Sequence, residues 1–274
     1  MKFGKRMILF AKKLASRRNL SYYKLHGKRP WTRGYFEHKW QLIEEILSGK
    51  TALVDFKGER VDERLVEYSW LMENLPEEPA GLLDAGSALN FEIILNQPKL
   101  SNKKITIVNL NPEKNNFARR GVSYLYEDLR NLPFKPECFD LITCISTLEH
   151  VGMDNTEIYT ADEKYKENKD EDYLIAAAEL KRVLKEGGNL FLTVPFGRKQ
   201  NFGFFQQFNK SMIDKLVALF KSSEETYYKY SDNGWQISTR ENCEQAEYTP
   251  AKEAKTNSEL PAAAGAVACL KLTK

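Results

Sequence analysis

The chain has 274 residues, of which 42% are hydrophobic and 29% charged, and its formal net charge is +3. This is the composition of an ordinary globular protein, which excludes a disordered or fibrous chain, and no stretch approaches the ~18 apolar residues of a membrane-spanning helix. The four cysteines form no C-x-x-C pair, so we expect a reduced cytoplasmic protein without a metal site.

Positive charge is concentrated at the start of the chain. Residues 1–36 hold eleven lysines and arginines and no acid, so the remainder is net acidic. Helical spacing of Phe3, Met7, Phe10 and Leu14 predicts a basic amphipathic helix. Lysines and arginines interrupt its apolar residues, so the segment has no continuous apolar core like that of a secretory signal. We expect either a solvated tail or an arm that contacts an anionic membrane surface, a phosphate-bearing substrate or RNA.

Two further helices are predicted before the first strand, at residues 35–47 and 62–75. The first places Phe36, Trp40 and Ile43 on one face. Pro and Gly then punctuate residues 76–81, so we divide the chain into a basic arm with a helical cap, residues 1–78, and a second domain, residues 79–274.

From residue 79 the pattern changes to short apolar strands that alternate with helices. Strands are predicted at 81–87, 103–111, 122–129, 138–146, 189–196 and 266–274, with one more from 226–230 and 235–239. Helices are predicted at 91–97, at 111–121 with Asn111 as N-cap, at 171–185 before Gly187 and Gly188, and at 210–220. The alternation favours an α/β protein with a parallel sheet and helices on both faces.

Small and polar residues follow several of the predicted strands. Ligands bind beyond the carboxyl ends of the strands in such sheets. Candidate positions are residues 84–90 after the first strand, Asn109 after the second, Asp128 after the third and residues 146–151 after the fourth.

The order of these segments resembles the class I S-adenosylmethionine-dependent methyltransferases, of the type 11-like group. The matching segments are LLDAGSALN (82–90), VNLNPE (108–113), EDLRNLPF (127–134), FDLITCISTLEHV (139–151) and ELKRVLKEGGNLFLTVP (179–195). The resemblance implies a Rossmann-like class I methyltransferase fold, with a seven-stranded, mostly parallel sheet whose last strand is antiparallel. It implies S-adenosylmethionine as cofactor and leaves the cap before residue 79 uncovered.

Site residues follow from the resemblance, position by position. Asp84 and Gly86 would lie beside the methionine end of the cofactor, and Ser87 and Ala88 would form the loop beneath it. Asn109 would face the ribose. Asp128 and the backbone amide of Leu129 would bind the adenine, and Ser146 would border the methyl group and the acceptor. Asn111 and Glu113 are interpreted as helix-capping residues instead.

Two positions depart from the family pattern. Ala88 stands where glycine is usual, which is tolerable if its φ is negative. Asn109 replaces an acid, and the weaker hydrogen bond costs about 1 kcal/mol, or roughly fivefold in affinity.

The predicted reaction is in-line transfer of a methyl group to a nucleophile. If the acceptor is a hydroxyl, His150 is the first candidate for the base, with Glu149 and Asp154 behind it. The acidic segment 154–172 is either a solvated insertion or a substrate lid.

The acceptor is predicted to be a small molecule or a glycan hydroxyl. DAGSALN with STLEHVG is similar to bacterial methyltransferases associated with polysaccharide assembly, and the aromatic loop of residues 202–208, with Gln206 and Gln207, is a candidate sugar-binding loop. A non-catalytic methyltransferase-like binding module and a nucleic-acid methyltransferase stay open as alternatives. The second is disfavoured because no N-P-P-Y-like motif occurs.

Overall fold

The computed structural model describes residues 33–50, 61–157, 159–231, 234–250 and 263–274. The predicted basic helix near Phe3 and Leu14 lies outside these residues. Within the described ranges, no helix has the length and apolar character needed to cross a membrane.

The protein is built around one eight-stranded sheet with strand order β3-β2-β1-β4-β5-β10-β8-β9. A two-stranded ribbon, β6 with β7, lies apart from it. The strands are β1 (Ala80–Ala85), β2 (Lys103–Asn109), β3 (Ser123–Tyr126), β4 (Phe139–Ile145), β5 (Leu184–Pro195), β6 (Gln200–Asn201), β7 (Gln206–Gln207), β8 (Ser222–Ser231), β9 (Gly234–Ser238) and β10 (Ala266–Thr273). The helices are α1 (Arg33–Leu47), α2 (Arg64–Asn74), α3 (Glu92–Leu95), α4 (Tyr173–Val183), α5 (Lys210–Val217) and α6 (Arg240–Cys243).

The sheet confirms the predicted fold and corrects the strand count. Strands β1 to β5 run parallel, and β10 lies antiparallel between β5 and β8. The eighth strand, β9, forms a hairpin with β8 at the sheet edge. It is held against the cap because Trp235 is buried and its indole N–H donates to the carbonyl of Val61 at 2.8 Å.

Alternation along the central strands divides the core into two layers. Leu82 of β1 packs with residues of α1 and α2, whereas its neighbour Leu83 packs with α4 and α5 on the opposite face. Leu65 and Leu71 of α2 are almost completely buried against the sheet. The division of the chain at residue 78 stays a prediction, and the cap helices share a core with the strands.

Two predicted helices need correction. No α-helix forms at 111–121, where only the 3₁₀ turn Ala118–Arg120 occurs. The helix predicted to reach residue 185 ends at Val183, and β5 begins at the next residue. The glycine pair lies inside β5, where Gly187 has φ +73° and its N–H donates to the carbonyl of Lys274.

Candidate active site

Two adjoining cavities lie at the carboxyl ends of the parallel strands. The first has a volume of about 290 Å³ and is bordered by the loops after β1, β2 and β3. The second, of about 310 Å³, lies beside the ends of β4 and β5. The residues that line both cavities are Lys39, Arg64, Ser146, His150 and Tyr159. These five residues mark the border at which two ligands would meet.

The loop after β1 forms the floor of the first cavity. Gly86 has φ +101°, and a Cβ atom there would lie 2.1 Å from Oγ1 of Thr147. A side chain at this position would be both strained and blocked. Ser87 is also left-handed at φ +65°, whereas Ala88 is not among the residues with positive φ. The condition under which alanine is tolerated at position 88 is therefore met.

Asp84 organises this loop from behind and does not line the cavity. Its carboxylate accepts hydrogen bonds from the N–H of Leu89 at 2.8 Å and from Oγ1 of Thr143 at 2.9 Å. The side chain is completely buried, and burial raises the pKa of Asp84 to about 7.

The segment predicted as a helix at 111–121 instead forms a wall of the cavity. Glu113 accepts from Oγ of Ser87 at 2.6 Å and from Nδ2 of Asn90 at 2.9 Å. Asn90 and Asn115 also exchange hydrogen bonds between each side-chain amide and the other's backbone carbonyl. These tertiary bonds compete with helix formation, so the interpretation of Asn111 and Glu113 as caps was wrong.

Asn109 and Asp128 both line the first cavity, but their hydrogen-bonding capacity is partly used. Oδ1 of Asn109 accepts from the N–H of Leu110 at 3.0 Å. Both carboxylate oxygens of Asp128 accept from Arg130, at 2.7–3.1 Å. Although burial opposes it, these hydrogen bonds lower the pKa of Asp128. Arg130 also pairs with Glu167 and Asp172, at 2.7 and 2.6 Å, and so ties the acidic segment to the cavity.

Aromatic rings from the cap cover the first cavity. Trp40 of α1 stacks obliquely on Phe91, with centroids 4.5 Å apart, and lies 6.0 Å from the ring of Tyr68. The hydroxyl of Tyr68 donates to the carbonyl of Ala88 at 2.7 Å. The cap is thus attached directly to the loop that forms the cavity floor.

A buried network at the border joins α2 to the ends of β4 and β5. Glu67, with no exposed surface, accepts from the hydroxyls of Ser146 and Thr193, the second at 2.6 Å. It also pairs with Arg64 at 3.1 Å, whose guanidinium donates to the carbonyl of Ile145 at 3.2 Å. Ser146 has φ +40° and is held in this rare conformation by these bonds.

Glu149 and His150 lie on one short 3₁₀ turn, Leu148–His150, after β4. Glu149 lines only the second cavity, is 3% exposed, and its Oε2 has no hydrogen-bond partner. Burial, reinforced by the charge of Glu67, raises the pKa of Glu149 well above its usual range. Nδ1 of His150 lies 2.8 Å from the carbonyl of Phe204 and must donate to it, which leaves Nε2 as an acceptor 3.3 Å from the hydroxyl of Tyr159. Burial lowers the pKa of His150 to about 4.

Most predicted site residues border a cavity, and four do not: Asp84, Asp154, Gln206 and Gln207. Those that line the first cavity are Gly86, Ser87, Ala88, Asn109, Asp128, Leu129, Ser146 and His150. Asp154 lines neither cavity, because its carboxylate accepts from the N–H and hydroxyl of Thr156. Gln206 and Gln207 are fully buried away from both cavities, with their amides donating to backbone carbonyls.

Sequence reasoning did not identify several residues that border the cavities. Lys39, Trp40 and Arg64 come from the cap, far along the chain from the strand ends, where ligands of parallel sheets bind. Arg130 could have been identified from the sequence, because it stands two residues after Asp128, and its guanidinium can reach that carboxylate.

Part of the chain matches a known family of protein domains. Residues 83–192, which hold the second half of β1, all of β2 to β4 and most of β5, match the model of a methyltransferase domain. No curated protein sequence matches the chain.

Similar solved structures include three methyltransferases. The 1,6-didemethyltoxoflavin-N1-methyltransferase of Burkholderia thailandensis has 14% identity and a TM-score of 0.48, with 86% of this chain and 87% of that chain covered. A possible histamine N-methyltransferase of Thermotoga maritima has 18% identity and a TM-score of 0.48, with 86% and 100% covered. The N-methyltransferase NodS of Bradyrhizobium japonicum has 14% identity and a TM-score of 0.45, with 86% and 98% covered.

Proposed function

We propose that this chain, an enzyme with a methyltransferase domain that uses S-adenosylmethionine, methylates a hydroxyl group of a small molecule or glycan held in the second cavity. The observation that supports the proposal is the common border of the two cavities, where Ser146 and His150 face both. A nucleophile in the second cavity would there adjoin a methyl donor in the first. Such positioning accounts for a large share of the rate in two-substrate reactions.

The residues of the first cavity fit the cofactor. The floor at Gly86 has no room for a side chain, as a loop under a closely bound ligand requires. Asn109 would hold the ribose, and the apolar Leu129 would pack on the adenine, with its backbone amide as donor. Lys39 and Arg64 lie at the border, where they suit the carboxylate of the methionine moiety.

When bound, the cofactor supplies an electrophilic methyl group, whose bond to sulfur breaks as its bond to the acceptor oxygen forms. His150 would orient the acceptor hydroxyl and take its proton at Nε2. The acceptor hydroxyl would take the place of the Tyr159 hydroxyl as the hydrogen-bond partner of Nε2. The bond from Nδ1 to Phe204 fixes the tautomer that this role needs. Because its pKa is about 4, His150 is neutral at physiological pH and is a weak base, so positioning carries more of the catalysis than proton transfer.

A non-catalytic binding module is the second candidate. Two observations favour it: Asn109 stands where an acid is usual, and both oxygens of Asp128 are engaged by Arg130. Both weaken the expected contacts to the ribose and adenine.

Methyl transfer decides between these two functions. The purified protein would be incubated with labelled S-adenosylmethionine and a panel of sugars, nucleotide sugars, lipid-linked glycans and small metabolites. Transfer of label to a hydroxyl supports the proposal. Transfer only to nitrogen would refute the hydroxyl assignment, and transfer only to hydroxyls of molecules without sugar would refute the glycan as acceptor. Cofactor binding without transfer to any acceptor favours the binding module.

Cytoplasmic location and contact of the basic residues 1–36 with an anionic surface are further proposals. The location rests on the four cysteines without a C-x-x-C pair, and the surface contact rests on the charge of residues 1–36 alone. RNA as the acceptor rests on the same charge and has no support from the cavities.

A further inference from the structure

The second cavity contains two carboxyl groups, those of Glu63 and Glu149, that form no ion pair with any residue that the structure describes. We propose that the acceptor carries a protonated amine in addition to the hydroxyl that is methylated, and that Glu63 and Glu149 bind this amine. The inference rests on the proposed function, because it names the class of substrate for the same site.

The charged groups around the second cavity pair incompletely. Asp62 is matched by Lys39, whose ammonium lies 2.7 Å from its carboxylate, and it also accepts from the hydroxyl of Tyr35. Arg64 is matched by Glu67, at 3.1 Å. Both cations of the border are thereby ion-paired, and although the charge of Arg64 partly offsets the raised pKa of Glu63 and of Glu149, the described part of the chain offers no ion pair to either carboxyl group.

Glu149 is the strongest indication of a missing ligand. Its Oε2 is buried, has no hydrogen-bond partner among the residues that the structure describes, and belongs to a side chain that lines the cavity. Burial of a polar atom without a hydrogen-bond partner is unfavourable, so such atoms are nearly always paired. A ligand that brings N–H donors and positive charge would remove this cost.

Glu63 is similarly placed on the other element. It lies immediately before α2 but makes no side-chain hydrogen bond to the helix, so it is not a cap. Among the described residues, the one donor to its carboxyl group is the N–H of Ala264, at 3.2 Å. Burial and the adjacent charge of Asp62 raise the pKa of Glu63 to about 8, against a smaller opposing effect of the charge of Arg64.

Aromatic rings complete the surroundings that a cation prefers. Phe204, Phe205 and Tyr248 line the cavity together with Tyr159 and His150. Phe205 lies 4.8 Å from Phe204 and 4.7 Å from Tyr248, so the three rings form a continuous wall. The faces of such rings attract ammonium groups, an effect that adds to pairing with carboxylates.

Matched pairs of probes test the proposal. Titration calorimetry, with and without S-adenosylhomocysteine, would compare 2-phenylethylamine with 2-phenylethanol and glucosamine with glucose. In the native protein at least one amine is expected to bind about tenfold more tightly than its neutral partner, because a charge-assisted hydrogen bond is the stronger kind. In Glu63→Gln and Glu149→Gln this preference is expected to fall at least several-fold.

The control is Glu73→Gln, the same change at an exposed position of α2. It is expected to keep the native preference. Equal binding of amine and neutral partner in both pairs would overturn the proposal, as would a preference that survives in both cavity variants. If S-adenosylhomocysteine does not bind, the proposed function fails, and the titrations without it still decide whether the cavity selects a cation.

Discussion

Replacing Glu67 with glutamine tests the buried network that joins the cap to the active site. The change removes one charge and keeps the shape of the side chain. A hydrogen bond to a charged group contributes about 1.5–3 kcal/mol and a neutral one about 0.5–1.5, so the two bonds from Ser146 and Thr193 lose about 2 kcal/mol together. Arg64 also loses its counter-charge. We expect the free energy of unfolding to fall by about 3 kcal/mol.

Urea unfolding followed by circular dichroism measures this change directly, and the midpoint of thermal unfolding should fall by about 5 °C. Glu73→Gln, on the exposed face of the same helix, should stay within about 0.5 kcal/mol of the native protein. Because Ser146 and Arg64 border both cavities, Glu67→Gln should also weaken binding of S-adenosylhomocysteine. A stability equal to that of the Glu73 control would refute the assigned role of the network.

Three further predictions concern single residues. Asn109→Asp should strengthen S-adenosylmethionine binding about fivefold by calorimetry, and unchanged affinity would mean that position 109 does not contact the ribose. His150→Ala should lower kcat about 10- to 100-fold at pH 7 with little change in cofactor affinity, and the native pH profile should show no inflection near 6.5 from this residue; undiminished turnover would exclude it as base. Because the folded pKa of Asp84 is about 7 and the unfolded value 3.8, its neutral form contributes up to about 4 kcal/mol that is present below pH 3.8 and lost as pH rises through 7. The stability of the native protein relative to Asp84→Asn, measured by urea unfolding, should therefore fall between pH 5 and pH 8, and a constant difference would contradict the shift.

The core of the fold could be predicted because its signals are local. Buried strands such as Leu82–Leu83 in β1 and Ile142–Ile145 in β4 read as short apolar runs, and small or polar residues mark where each strand ends. Strand ends of a parallel sheet meet at one edge, so Gly86, Asn109 and Ser146 were expected together and do line one cavity.

Tertiary contacts decide what could not be predicted. Asn111 and Pro112 favour the start of a helix, but Glu113 and Asn115 are bound by Ser87 and Asn90 from the loop after β1, which holds the segment in a non-helical conformation. No local pattern reveals such a contact.

The role of the cap in the site is the second feature that the sequence did not reveal. The sequence favours an ordinary amphipathic helix at residues 62–75, and Glu67 at its buried face looks no different from a surface acid. Only its distant partners, Ser146 and Thr193, give it a role. For Glu149, by contrast, the position after β4 already indicated a functional role. Its burial without a hydrogen-bond partner among the described residues supports binding of a ligand that donates hydrogen bonds.

Titration calorimetry of the purified protein with S-adenosylmethionine and S-adenosylhomocysteine tests the assignment of the first cavity most directly. We predict that both ligands bind at one site per chain with micromolar dissociation constants. We also predict that Gly86→Ala abolishes this binding, because the added Cβ atom would collide with Thr147. Absence of binding by the folded native protein, together with absence of binding by Asn109→Asp, would contradict it.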